Sequence, residues 1–185
     1  MIEVERKFIL KEGDIDKLTK RAEFISEKTF TDTYYDTAEF SLTTKDIWLR
    51  QRGDRFELKV PLNQGESMTN RVLDQYEEYE TEEEIRKILN LPEKKTLKED
   101  LEESGYHPIA TLITTRKKYK KGEFIIDFDI IDFGYSIGEI ELMIKDKSEI
   151  KKASDKIIAF AEENGLIISA VLGKLVEYIR RNDPE

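Results

Sequence analysis

Charges of like kind recur two positions apart along this chain: Glu3-x-Glu5-x-Lys7, Arg50-x-Arg52, Asp127-x-Asp129 and Glu139-x-Glu141. In an extended backbone alternate side chains share a face, and same-face neighbours stand about 6.6 Å apart, twice the rise per residue. Two carboxylates at that spacing can share one cation, and two guanidiniums can share one multiply charged anion. Hard carboxylate oxygens suit Mg2+ or Mn2+. Arginine offers paired hydrogen bonds to a phosphate, and lysine a point charge. A strand with one wet face carries charges as well, but it usually mixes Ser, Thr, Lys and Glu without repeating like pairs.

Each pair falls in a stretch that reads as a strand. Residues 2–10 send Ile2, Val4, Arg6 and Phe8 to one side and Glu3, Glu5 and Lys7 to the other. Residues 24–37 are rich in Thr, Phe and Tyr, which favours a strand; Tyr34 and Tyr35 then face opposite ways, one packing and one reaching the polar side. Residues 47–60 form a hairpin about Gly53-Asp54-Arg55, closed by Pro61. Trp48, Arg50 and Arg52 share one of its faces, and Glu57 and Lys59 share a face of the return strand. If Lys59 joins the arginines, three cations crowd one surface and an anion between them is favoured; pairing with Glu57 and other acids is the alternative. Residues 71–80 bring Asp74, Tyr76, Glu78 and Glu80 together, and residues 109–121 align Leu112, Thr114, Arg116 and Lys118. Residues 123–131 and 136–144 carry the last two acidic pairs opposite Phe124, Ile126 and Phe128, and opposite Ile140, Leu142 and Ile144.

The other segments read as helices or loops. Asp14 is placed to cap a short helix bearing Ile15, Leu18 and Ala22. Thr81 to Glu84 and Thr96 to Glu99 are two capping-box signals. A helix is expected from Ser148 to Gly165, and a last one from Ser169 that buries Val171, Leu172, Leu175 and Ile179 and carries Lys174. The polar stretch 61–70 is a candidate mobile loop. No linker or repeat divides the chain, so a single domain over 1–185 is expected.

Composition narrows the chemistry. Hydrophobic and charged residues each make up 38% of the 185 residues, too apolar for disorder and unusually charged for a small folded protein. The net charge of −9 argues against a general nucleic-acid or membrane-surface binder, so an anionic ligand must be held by local bases. The absence of cysteine excludes thiol catalysis and thiolate metal sites, and His107, the single histidine, cannot build a multi-histidine centre. Acid–base work falls to carboxylates, lysines, tyrosines or metal-bound water. With neither a leader nor an apolar run of membrane-spanning length, a soluble cytoplasmic protein is expected.

Strands with one apolar and one charged face are most simply accommodated by an α+β fold in which eight antiparallel strands close into a barrel, charges inside and helices outside. Closure also removes the sheet edges. Opposed acids and bases in a partly dry channel need partners beyond one another, and a polyphosphate with a divalent metal supplies both.

Taken in order, Glu3-x-Glu5-x-Lys7, Arg50-x-Arg52, Lys59, Glu78, Arg116, Asp127-x-Asp129, Glu139-x-Glu141 and Lys174 resemble the CYTH superfamily, the triphosphate tunnel metalloenzymes. The stretches IEVERKF, DTYYDT, WLRQR, ELK, DFGYSIGEIE and KLVEY are most similar to its thiamine triphosphatase branch. The resemblance spans Ile2 to Tyr178. It implies an eight-stranded tunnel that hydrolyses the terminal phosphoanhydride of thiamine triphosphate, inorganic tripolyphosphate or both, with Mg2+ or alternatively Mn2+. It implies that Lys7, Arg50, Arg52, Lys59, Arg116 and Lys174 hold the triphosphate, and that Glu3, Glu5, Asp127, Asp129, Glu139 and Glu141 bind metal. Lys59, Glu78 and Glu139 are the implied catalytic residues, with Glu3 and Glu78 standing between metal and water roles. Trp48 and Tyr34 are candidates to contact the organic part of the substrate. A small-molecule triphosphate as sole partner and a monomeric state complete the expectation. The alternatives are a class IV adenylyl cyclase and a non-catalytic polyphosphate- or nucleotide-binding module.

Overall fold

Strand β1 (Ile2–Phe8) is hydrogen-bonded on both sides, antiparallel to β8 (Tyr135–Ile144) and to β5 (Asp74–Tyr79). Its position between the two closes the ring. The remaining strands are β2 (Glu23–Asp36), β3 (Trp48–Arg52), β4 (Arg55–Pro61), β6 (His107–Lys121) and β7 (Phe124–Ile131). All neighbours are antiparallel in the order β1-β5-β4-β3-β2-β6-β7-β8, a closed barrel of eight strands. The computed structural model describes residues 2–62, 74–167 and 169–182. Most of the loop expected at 61–70, and the start of the strand expected from Arg71, therefore lie outside the described residues.

Among the described residues five α-helices surround the barrel or close one end of it: α1 (Asp14–Thr19), α2 (Glu82–Leu89), α3 (Leu97–Glu103), α4 (Ile150–Glu163) and α5 (Lys174–Asn182). Both expected N-terminal signals operate: Thr81 accepts from the Glu84 backbone N–H, and Thr96 and Glu99 form a reciprocal capping box. Asp14 does not cap α1. Gly13, in the left-handed region at φ 82°, precedes the helix, and Asp14 instead accepts the backbone N–H of Lys11 at 3.0 Å. Ile15 is exposed, and Ala22 lies beyond the helix end.

Two apolar layers lie outside the barrel wall. On one side α4 lays Ala153, Ile157, Phe160 and Ala161 onto Val4, Phe8, Ile126, Phe128 and Ile140, and on the other α2 and α3 lay Ile85, Leu97 and Leu101 onto Tyr35, Leu49, Phe56 and Leu58. Each fully buried side chain of this size contributes about 1.5–3 kcal/mol relative to exposure. The helices do not cover the whole wall. Thr29, Thr31, Thr111 and Ile113 of β2 and β6 face solvent, because the outward positions there alternate through threonines that offer no continuous apolar stripe. No helix among the described residues is long and apolar enough to cross a membrane.

Gly138 faces Phe8 across the β1–β8 pair, and a Cβ added there would overlap the Phe8 ring. Gly138→Ala is expected to destabilise the fold by about 1–3 kcal/mol through overpacking. The check is a denaturant or thermal unfolding curve, with Phe8→Leu in the same background restoring part of the loss.

The last helix begins later than its apolar spacing suggests. Residues 169–173 are not helical; α5 starts at Lys174, and its first turn closes on Gly173, whose carbonyl accepts from Glu177 N at 3.0 Å. Two side chains of the barrel hold the preceding segment instead. Arg6, fully buried among the apolar side chains of β1, donates from Nη2 to the Ile167 carbonyl at 2.9 Å, and Tyr135 donates to the Leu172 carbonyl at 2.8 Å. Leu175 then packs with Tyr34, Ala110, Leu112, Ile131 and Ile137 across one end of the barrel. That end is plugged, and Lys174 is delivered to the interior.

Candidate active site in the barrel lumen

The alternation that hides Val4, Arg6 and Phe8 in the outer layer turns Glu3, Glu5 and Lys7 into the lumen. The same parity on other strands turns in Trp48, Arg50 and Arg52; Glu57 and Lys59; Asp74, Tyr76 and Glu78; Arg116 and Lys118; and Glu139 and Glu141. With Tyr34 and Lys174 these residues line a cavity of about 410 Å³. Asp127 and Asp129 are fully buried just behind Arg116.

The cavity is electrostatically two-sided. On the side formed by β1, β7 and β8, two groups of three carboxylates each place one oxygen per residue within 4.8 Å of one another: Glu3, Glu5 and Glu141, and Asp127, Glu139 and Glu141. Burial pushes the Glu141 carboxyl well above the ordinary range, and neighbouring Glu3 and Asp127 add to it; burial likewise raises Glu5 and Asp127. Negative charge here exceeds what the bases nearby neutralise. Such sets of hard oxygens fit a six-coordinate Mg2+ or Mn2+. Asp127 Oδ1 is buried without a hydrogen-bond partner among the described residues, leaving a lone pair for a cation.

The bases lie against these acids and across from them. Lys7 pairs with Glu5 and, at 2.6 Å, with Asp74; Lys59 pairs with Glu3 and, at 2.9 Å, with Glu78. Burial opposes both ammonium ions, but the surrounding carboxylates outweigh it and hold their pKa values well above the usual lysine value. Arg116 donates to both oxygens of Asp129, at 2.6 and 2.7 Å, to Asp127 at 2.5 Å and to Glu139 at 2.9 Å. The third cationic group gathers around Asp32. Arg52 grips both its oxygens at 2.6 and 2.8 Å, Lys174 reaches it at 3.2 Å, and Arg50 stands at 3.7 Å while bonding Glu57 at 2.6 Å. Burial would raise the Asp32 carboxyl, yet Arg52, Arg50 and Lys174 hold it down to about 2. The Phe30 ring lies under Arg52 at 3.9 Å and within 5.2 Å of Lys174, a flat cushion for the cluster.

All the expected site residues are thus in or against one cavity, with two differences of role. Asp129 belongs to neither carboxylate group, since both its oxygens are taken by Arg116 and Lys174 lies 3.8 Å away; it orients a base. Trp48 is half-buried, packed against the Leu175 layer, and its indole N–H donates to the Tyr76 hydroxyl at 3.2 Å, which in turn donates to Asp46 at 2.9 Å. It serves the core and lines the lumen at once. Glu57, Asp74, Tyr76 and Lys118 also line the cavity, and Asp32 and Thr114 are buried behind the bases, none of the six being among the expected site residues. Parity was their signal: Asp32 shares a face with Tyr34, Glu57 with Lys59, Asp74 and Tyr76 with Glu78, and Lys118 with Arg116.

A family model described as the CYTH domain matches residues 1–168. The chain belongs to the CYTH family. Human thiamine-triphosphatase is 32% identical over 208 aligned residues, covering 100% of this chain and 87% of the human one. Among solved structures, a protein of Pyrococcus horikoshii OT3 superposes with a TM-score of 0.67 at 22% identity, covering 97% and 99% of the two chains. A putative adenylyl cyclase from Hippeastrum, described as having a dominant triphosphatase activity, superposes with a TM-score of 0.59 at 16% identity over 97% of this chain and 95% of its own. These two show the fold. The plug that delivers Lys174 follows the segment matched by the CYTH model and lies within the alignment to the human enzyme.

Proposed function

We propose that this CYTH chain, acting as one domain over residues 1–185, is a metal-dependent triphosphatase that releases the terminal phosphate of thiamine triphosphate, inorganic tripolyphosphate or both. One observation carries the reading: a single lumen opposes two carboxylate triads, Glu3-Glu5-Glu141 and Asp127-Glu139-Glu141, to the cluster of Arg50, Arg52 and Lys174 about Asp32. The full-length identity to a thiamine-triphosphatase supports the substrate class.

In this reading Arg50, Arg52 and Lys174 exchange part of their contact with Asp32 and Glu57 for phosphate oxygens, while Lys7, Lys59 and Arg116 hold the phosphate oxygens nearest the acids. Mg2+ or Mn2+, held by Glu3, Glu5, Asp127, Glu139 and Glu141, would supply neutralisation of phosphate charge. Glu78 and Glu139 orient the attacking water, and Glu78, which stands outside both carboxylate groups, takes its proton as the new P–O bond forms and the bond to the leaving diphosphate oxygen breaks; Lys59 stabilises the charge that collects on that oxygen. Phosphoryl transfer depends mainly on positioning and charge neutralisation, which a preorganised ionic lumen provides without covalent catalysis. Trp48 and Tyr34 flank the space for an organic group.

The test is phosphate release from thiamine triphosphate, tripolyphosphate and ATP, each with Mg2+ and with Mn2+. Orthophosphate and a diphosphate in equal amounts are expected from at least one of the first two substrates. Cyclic AMP and pyrophosphate from ATP, or tight tripolyphosphate binding with no turnover under either metal, would overturn the reading.

A further inference from the structure

Lys118 is a lumen base that the assignment above leaves unused. Its ammonium stands 2.9 Å from Asp127 Oδ2 and 3.9 Å from Glu141 Oε2, so it occupies the carboxylate group formed by Asp127, Glu139 and Glu141. Arg116 contacts the same group, but the two bases are tied down differently. Arg116 is locked by both oxygens of Asp129 and a bond to Glu139. The described side-chain contacts of Lys118 are Asp127 and Glu141 alone, and its side chain is 31% exposed against 18% for Arg116. One base is clamped, and the other is free to leave on a flexible four-carbon stem.

A divalent cation among those three carboxylates would sit a few ångströms from the Lys118 ammonium, and like charges at that range in a partly dry site repel strongly. We propose that Lys118 is a built-in exchangeable counter-ion: it neutralises the Asp127–Glu141 side of the lumen while no metal is bound, and a divalent cation must displace it to enter. Lys118 thereby sets the metal affinity of the free protein below what the carboxylates alone would give, and the displaced ammonium becomes available to the anion that accompanies the metal. The proposal rests on reading the acidic face as the metal centre. Lys118 is a positioning residue here, acting through the carboxylates.

The experiment is a Mn2+ titration of the substrate-free protein, following the EPR signal of free Mn2+, for the unaltered chain, Lys118→Met and Lys117→Met. Lys117 lies on the outer face beside Glu27 and serves as control. Removing one unit charge a few ångströms from a divalent ion should tighten binding about tenfold or more in Lys118→Met, with Lys117→Met unchanged. A metal-free thermal unfolding midpoint that falls in Lys118→Met and is recovered by Mn2+ belongs to the same expectation. Mn2+ binding by the unaltered chain with equal or weaker affinity in Lys118→Met would overturn the counter-ion role and leave the metal centre standing. Mn2+ bound by neither form would overturn both.

Discussion

Arg50→Ala is expected to lower triphosphate hydrolysis about a thousandfold or more, the scale on which a single arginine facing a transferring phosphoryl group acts. The guanidinium reaches into the lumen from β3, with Glu57 at 2.6 Å on one side and Asp32 at 3.7 Å on the other, so it is oriented before any anion arrives. The cost to folding is confined to Glu57, which loses its 2.6 Å partner but faces the lumen with 17% of its side chain exposed, because Asp32 keeps Arg52 at 2.6 Å and Lys174 at 3.2 Å. Thermal unfolding should therefore change little while turnover collapses. Arg50→Lys keeps the charge but loses the paired hydrogen bonds, and should fall between the two. Near-normal phosphate release from a folded Arg50→Ala protein would remove the basic side of the site as drawn.

Glu141→Gln carries the second large effect, and it should move stability and function in opposite directions. Glu141 belongs to both carboxylate groups, and burial together with Glu3 and Asp127 raises its pKa well above the usual value. A carboxyl whose folded-state pKa is raised adds stability while protonated and loses it as pH climbs through that pKa. Above that pKa its ionised form is thus a burden on the metal-free fold, and the neutral amide of the same shape relieves it. Metal-free Glu141→Gln should unfold no more easily than the unaltered chain and unfold later at higher pH. Mn2+ affinity should drop about a hundredfold or more, since both groups lose a shared anionic ligand, and turnover should fall by about 10²–10³. Unchanged Mn2+ binding in a folded Glu141→Gln protein would place the metal elsewhere.

The two variants probe opposite walls of one lumen, and together they bear on how far the molecule was legible from its residues. The strands were legible because closure makes each of them two-faced. A period of two in β1, β3, β4, β7 and β8 separates the apolar outer wall from the charged lumen, so even the inward set could be read by parity. The same rule contained Asp32, Asp74 and Lys118. It could not rank them, because parity says which way a side chain points and nothing about what it meets across the barrel. Asp129 shows the limit most clearly: two residues from Asp127 and on the same face, it serves Arg116 instead of joining a carboxylate group.

The plug was less legible. Apolar spacing extended the last helix back to Ser169, whereas the segment before Lys174 gives up helical hydrogen bonds to be held by Arg6 and Tyr135 from two different strands. A fully buried arginine on the apolar face of β1 had no local explanation in the sequence; its partner is a carbonyl 161 positions away.

Backbone geometry and near-neighbour chemistry were enough to set the inward and outward faces of the strands, the two N-terminal helix signals, and the kinds of charge that had to meet inside. The folded barrel was needed to show which acid meets which base, which carboxylates draw close enough to share a cation, and which end is plugged. Those depend on register and closure, which juxtapose residues from opposite ends of the chain at distances of a few ångströms that no local pattern encodes.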